Sequence, residues 1–202
     1  MKVFILTLLL LQSALASEFL PASFLIEYTE SFKSISKGGN VKYQGRFSFS
    51  YPDKFRLDVT DPDPSSVVSN GVKSWRYTPP FIEGEQGEVE ISKASDLPVT
   101  KFLKTLKKGL QKNPSFKTQI KGTDITLTMN EPWRKNLGIK QVLLKLKDSS
   151  QSKTLADVSE LEIFYSNNNQ MKWVFKEFKA LPAFDKNHFD FQIPAKTKVV
   201  EN

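Results

Sequence analysis

His188 is the one histidine of this 202-residue chain, and it lies close to Asp185 and Asp190. Imidazole between carboxylates suits acid–base chemistry. Hydrolysis by such a set needs a serine on a strained G-x-S-x-G elbow, and the sequence has none, so His188 reads as a turn or surface residue. Glu83, Glu85, Glu88 and Glu90 form an acidic run without the spacing of a calcium-binding loop, and they read as a solvated edge. One His and no Cys leave neither a zinc set nor a cluster for a catalytic transition metal. Neither a P-loop nor a G-x-G-x-x-G turn is present, so nucleotide binding has no support. No cofactor, metal or enzymatic activity is expected. The abundant chemistry is apolar: the chain has 16 Phe, which points to a packed core or to a binding site for an apolar ligand.

Residues 1–16 read MKVFILTLLLLQSALA: a basic start, an apolar run too short to span a membrane as a helix, and small residues at Ala14 and Ala16. This is the pattern of a secretory signal peptide. Residues 17–202 are expected to form one exported domain, stabilised by a hydrophobic core because disulfides are impossible without Cys. An exported protein is not expected to meet nucleic acid. The formal net charge of +7 is concentrated around residues 101–112. Those lysines read as the solvated face of a helix, with steering toward anionic headgroups or an acidic partner as the functional alternative.

The elements that position these residues follow from periodicity. Leu20, Phe24, Leu25, Tyr28, Phe32 and Ile35 approach an i, i+4, i+7 spacing, which predicts an amphipathic helix over 20–35 with Pro21 in its first turn, ended at Lys37-Gly38-Gly39-Asn40. Val41, Tyr43, Phe47, Phe49 and Tyr51 then alternate with polar residues, as in a half-buried antiparallel strand, and Phe55, Leu57 and Val59 repeat the pattern after Pro52-Asp53. Val67-Val68, Asn70-Gly71, Val72, Trp75 and Tyr77 predict a hairpin around a type I′ turn. A second, basic helix is expected over 99–110, with Phe102, Leu103, Leu106 and Leu110 on one stripe. Further strands are expected over 116–120, 125–129, 139–146 and 158–165, through Met171, Trp173 and Phe175, and over 189–193 before Pro194. Many strands and two helices predict one large twisted sheet of roughly ten strands without βαβ units. Its apolar face must be covered.

The run Ser48-Phe49-Ser50-Tyr51-Pro52-Asp53-Lys54-Phe55-Arg56-Leu57, followed by Pro64, Val67-Val68-Ser69-Asn70-Gly71, Trp75-x-Tyr77 and Pro79, resembles the N-terminal half of the LolA family of lipoprotein carriers. The ending Phe189-x-Phe191-x-Ile193-Pro194 is similar to that family's last strand, while residues 84–169 are only weakly similar. The resemblance implies a mainly β fold, an unclosed antiparallel β-barrel capped by an α-helical lid, with acyl chains bound between the two. It also implies a periplasmic monomer that takes acylated lipoproteins from an inner-membrane ABC transporter of the LolCDE type to an outer-membrane acceptor of the LolB type. A lipid- or glycolipid-binding or sensing protein on the same half-barrel is the alternative.

On this reading Phe47, Phe49, Phe55, Leu57 and Trp75 line the acyl-chain site from the sheet, and Phe24, Tyr28, Phe102 and Leu106 line it from the lid helices. The family pattern has an Arg before the Pro of the motif, which bonds lid backbone and holds the empty carrier closed. Here the residue is Tyr51. Strand parity places Tyr51 on the side of Phe47 and Phe49, so that its hydroxyl is expected to reach a lid carbonyl, and turns Arg56 away.

Overall fold

The computed structural model describes residues 18–34, 39–94, 97–107, 109–111, 113–148 and 153–201. The signal peptide expected over 1–16, and Lys37 and Gly38 of the expected turn, lie outside the described residues.

Twelve strands form one sheet, with α1 (Pro98–Lys107) and α2 (Glu131–Leu137) inserted between strands. The strands are β1 (Ser23–Ser34), β2 (Gly39–Ser50), β3 (Lys54–Asp61), β4 (Ser65–Asn70), β5 (Lys73–Thr78), β6 (Gly87–Lys93), β7 (Phe116–Lys121), β8 (Asp124–Met129), β9 (Ile139–Leu146), β10 (Val158–Tyr165), β11 (Gln170–Ala180) and β12 (Thr197–Glu201). Their order is β12-β6-β5-β4-β3-β2-β1-β11-β10-β9-β8-β7, with β12 and β7 at the two ends, so the sheet is not closed into a barrel. Pairing is antiparallel throughout except for β12, which runs parallel to β6.

The register shows why one face is oily. Phe24, Ile26 and Tyr28 of β1 lie opposite Phe49, Phe47 and Gly45 of β2 and, on the other side, Ala180, Phe178 and Phe175 of β11. Directly paired residues share a face. The same row continues through Trp173, Leu161, Leu144 and Ile125 in one direction and Leu57 and Val67 in the other. These residues form a single apolar cluster with Phe102, Leu103 and Leu106 of α1, Leu110 just after it and Leu137 of α2. The helices are therefore the cover that the face requires.

The segment expected to be the first lid helix is a strand, the sheet's central β1. Its apolar residues Leu20, Phe24, Tyr28 and Phe32 recur every four positions, a spacing that satisfies both a helical face and alternate positions of a strand. Two flanking strands, which set Phe49, Phe47, Phe178 and Phe175 opposite Phe24, Ile26 and Tyr28, decide in favour of the strand. Four further elements differ from expectation. Helix α2 was not foreseen; it begins around Pro132 and ends at Gly138, whose φ of 66° permits a left-handed cap with its N–H donated to the Arg134 carbonyl. The acidic run is half strand: Glu88 and Glu90 belong to β6. Residues 189–193 are not a strand, and the last strand, β12, comes later. The hairpin at Asn70-Gly71 is not type I′: Gly71 has φ of 90° but Asn70 does not have positive φ, and its Oδ1 instead accepts the N–H groups of Val72 and Lys73, both at 2.9 Å.

Candidate functional site: an apolar face under a helical lid

Eight of the nine residues named from sequence lie together in one apolar cluster; the ninth, Trp75, does not. Phe47, Phe49 and Phe55 are buried on the oily face, and Leu57, paired with Phe47, is half-buried beside them. Phe102 and Leu106 meet them from α1. Phe24 belongs to the same set, its ring 5.3 Å from that of Phe49 and 6.0 Å from that of Phe47, but it projects from the sheet and not from the lid.

Besides Phe24, two placements are corrected. Tyr28, like Phe24, is a sheet residue because its segment is β1. Trp75 lies on the opposite face: Phe55 pairs with Ser69 and Ser69 with Ser74, so Trp75, the next residue, points away with Val68 and Ile91. The alternation was read correctly within β5, but nothing in it says which of the two sides of the hairpin is shared with β3.

Beyond β4 the oily face turns polar. Its rows continue as Ser69, Ser74 and Ser92, and as Arg76 beside Glu90 at 3.7 Å. The Ser69 hydroxyl donates to the Asp53 carbonyl and Ser74 to that of Ser92, both at 3.3 Å. The apolar surface is thus bounded on this side and extends from β3 through β1 and β11 toward β8.

Residues that sequence reasoning did not nominate complete it. Trp173 stacks on Tyr28 with ring centres 4.1 Å apart and packs edge-on to Phe47. Phe178 stacks on Phe24 at 5.7 Å. The alternation of Met171, Trp173 and Phe175 was legible, but only the pairing of β11 with β1 puts these rings beside Tyr28. Glu30 was also missed. Its carboxylate accepts the Trp173 Nε1–H at 3.0 Å, and burial pushes its pKa above the usual carboxylate value, the indole hydrogen bond acting the other way.

The lid is held at its rim by polar contacts. Lys104 pairs with Asp53 of the β2–β3 turn at 3.2 Å; Lys107 pairs with Glu18 and donates to the Leu20 carbonyl at 3.3 Å. Tyr51 is 47% exposed, and its backbone N–H donates to the Ala22 carbonyl at 2.7 Å. Its side chain meets the lid through the ring, which lies 5.5 Å under the Lys107 ammonium. Among the described residues the expected bond from the hydroxyl to a lid carbonyl is not made, and the aromatic face meets the lid instead. Arg56 pairs with Asp58 at 2.7 Å on the far side of the sheet from Phe55.

In this state the lid side chains fill the face: Phe24, Phe49, Phe55 and Leu106 are fully buried. A cleft of about 470 Å³ lies elsewhere, along the β7 edge, lined by Gln111, Asn113, Phe116, Lys117, Thr118 and Ile120. Among the described residues no group of three or more His, Cys, Asp or Glu is placed to hold a metal.

The far side of the sheet carries a strap, residues 181–196, that leads from β11 to β12. Phe191 packs on Tyr77 at 5.4 Å, and His188 stacks on Phe184 at 4.4 Å and meets Phe189 edge-on. His188 is thus a half-buried turn residue within an aromatic cluster.

Residues 23–192 match the family model described as "Outer membrane lipoprotein carrier protein LolA". An outer-membrane lipoprotein carrier protein from Francisella philomiragia is 28% identical over 166 residues, covering 80% of this chain and 73% of that one. A protein of the same description from Francisella tularensis is 25% identical over 163 residues, with the same coverage. The crystal structure of a LolA superfamily protein from Nitrosomonas europaea is similar with a TM-score of 0.42 at 10% identity, covering 87% of this chain and 94% of that one.

Proposed function

The chain belongs to the LolA family of outer-membrane lipoprotein carrier proteins, and from that premise we propose that it works in the periplasm, shielding lipoprotein acyl chains against the oily face of its sheet. Each buried CH₂ is worth roughly 0.8 kcal/mol, so an exposed acyl chain costs about 10 kcal/mol or more in water, and a lipoprotein carries several. Diffusion across an aqueous compartment requires a shield.

The observation that carries the reading is a continuous apolar face, centred on Phe24, Phe47, Phe49 and Phe55, whose cover α1 is fastened at its margin by charged pairs. Exposed ion pairs contribute at most about 1 kcal/mol each. Phe102 and Leu106 occupy the surface that an acyl chain would take, so loading is an exchange of lid side chains for ligand. Neither partner makes directional bonds there, and transfer follows differences in affinity between donor, carrier and acceptor. The donor is an inner-membrane ABC transporter of the LolCDE type and the acceptor an outer-membrane protein of the LolB type. Phe24, Tyr28, Phe47, Phe49, Phe55, Leu57, Phe102 and Leu106 line the site; Trp75 does not. The carrier acts as a monomer, exported by cleavage of residues 1–16.

Incubating inner-membrane spheroplasts with purified protein tests this. Triacylated lipoproteins are expected in the soluble fraction as complexes with the carrier. Capture of free phospholipid without lipoprotein release would transfer the function to lipid transport.

A further inference from the structure

The oily face contains one polar station. Tyr28 is 1% exposed, and its hydroxyl is buried without a hydrogen-bond partner among the described residues. Leaving a buried hydroxyl unpaired is costly, and native interiors seldom do so without a reason. Gly45, the residue opposite on β2, lets both the Asp58 carbonyl and the hydroxyl approach: a Cβ there would lie 2.4 Å from the Asp58 oxygen and 2.6 Å from the Tyr28 oxygen. Glu30 follows two positions along the same strand and on the same face. Trp173 joins the two, stacking on the Tyr28 ring while donating its indole N–H to Glu30 Oε2. The second carboxylate oxygen, Oε1, takes no part in that bond.

The position is as informative as the chemistry. Glu30 lies six positions along β1 from Phe24, about 20 Å of strand, comparable to a long acyl chain. The Phe24 end lies under α1, near the rim where Lys107 meets Leu20. The Glu30 end is flanked by Leu161, Tyr165 and Met171, all only half-buried. A ligand whose tail lies under the lid would thus carry its polar junction to this station.

We propose that Tyr28, Glu30 and Trp173 form a polar anchor that recognises acyl chains joined through a secondary amide. This rests on the carrier reading above and adds the linkage that the site selects. The Tyr28 O–H would donate to the amide carbonyl, and Glu30 Oε1 would accept the amide N–H. A secondary amide offers one acceptor and one donor without net charge, so both groups are satisfied at once. An ester offers acceptors only and sets an oxygen against the carboxylate. A free fatty acid sets a second carboxylate there. Amide, ester and acid are therefore ranked in that order.

The test is displacement of a fluorescent acyl probe from the purified protein by N-methylpalmitamide, methyl palmitate, palmitate and an N-palmitoyl tripeptide. The amides are expected to displace the probe at about five- to tenfold lower concentration than the ester. Tyr28→Phe and Glu30→Gln should each reduce that preference, and together abolish it. Tyr28→Phe should also leave the melting temperature of the free protein unchanged or higher, because it removes an unpaired hydroxyl. A tripeptide that outcompetes N-methylpalmitamide supports an N-acylated polypeptide terminus as the ligand; the reverse supports an N-acyl lipid. Equal displacement by amide and ester, a preference that survives in the double variant, or a lowered melting temperature for Tyr28→Phe overturns the anchor while acyl binding stands. Failure of every acyl compound to displace the probe overturns the carrier reading as well.

Discussion

Lys104 of the lid helix reaches Asp53 in the β2–β3 turn at 3.2 Å, linking two segments 51 residues apart. Both side chains are partly exposed, so the pair is worth about 0.2–1 kcal/mol. That is enough to bias the lid without locking it. Lys104→Ala should lower hydrogen-exchange protection of α1 amides by up to about fivefold, leaving β1 and β2 unaffected, and added salt should mimic the change in the unmutated protein. Unchanged α1 protection would remove this pair from lid control.

The Tyr51 ring, 5.5 Å beneath the Lys107 ammonium, stands at the position where the family pattern has arginine. A cation over an exposed ring contributes roughly 0.5–1 kcal/mol. Tyr51→Phe keeps the ring and should leave α1 protection as it is, whereas Tyr51→Ala should reduce it by about two- to fivefold. A loss in the Phe variant equal to that in the Ala variant would return the role to the hydroxyl.

Trp75 and Trp173 lie on opposite faces of one sheet, as their pairings with Val68 and Leu161 show. In variants retaining a single tryptophan, binding of an acyl ligand carrying a bromine quencher should quench Trp173 strongly and Trp75 little. Comparable quenching of both would mean that acyl chains bind outside the covered face.

His188 Nε2 is buried without a partner among the described residues. Burial, and then the positive charge of Arg56, holds its pKa below the ordinary value, while Asp58 and Asp185 pull it up. Since the folded pKa is depressed, this contribution to stability is complete above the unfolded pKa of about 6.5 and is lost as pH falls through the folded pKa. Proteolysis within the strap, residues 181–196, should quicken on acidification from pH 7 to pH 5. His188→Phe, which retains an aromatic ring, should flatten that dependence; a variant as acid-sensitive as the parent would place the titration elsewhere.

The strands most legible in the sequence were short apolar runs bounded by polar and turn residues. Residues 139–146 and 158–165 coincide with β9 and β10. What was hidden lay in long-range pairing. The fourfold spacing of Leu20, Phe24, Tyr28 and Phe32 is neutral between helix and strand until β2 and β11 are known to flank it. Strand β6 alternates Val89 and Ile91 with Glu88 and Glu90, but those glutamates read as part of an acidic run, and β12 offers only Val199 and Val200. The site was legible as a set of aromatic residues. Its face assignment failed at Trp75, and a carboxylate within an apolar alternation, Glu30, attracts no notice until an indole is found bonded to it.

Ser69, Ser74 and Ser92, side by side across three strands, give the oily surface a shoreline. The sheet continues past them, but hydrocarbon gains nothing by following it. On the proposed carrier reading, storage capacity is set by where those hydroxyls begin, and exchanging them for valine would enlarge the hold without adding a single strand.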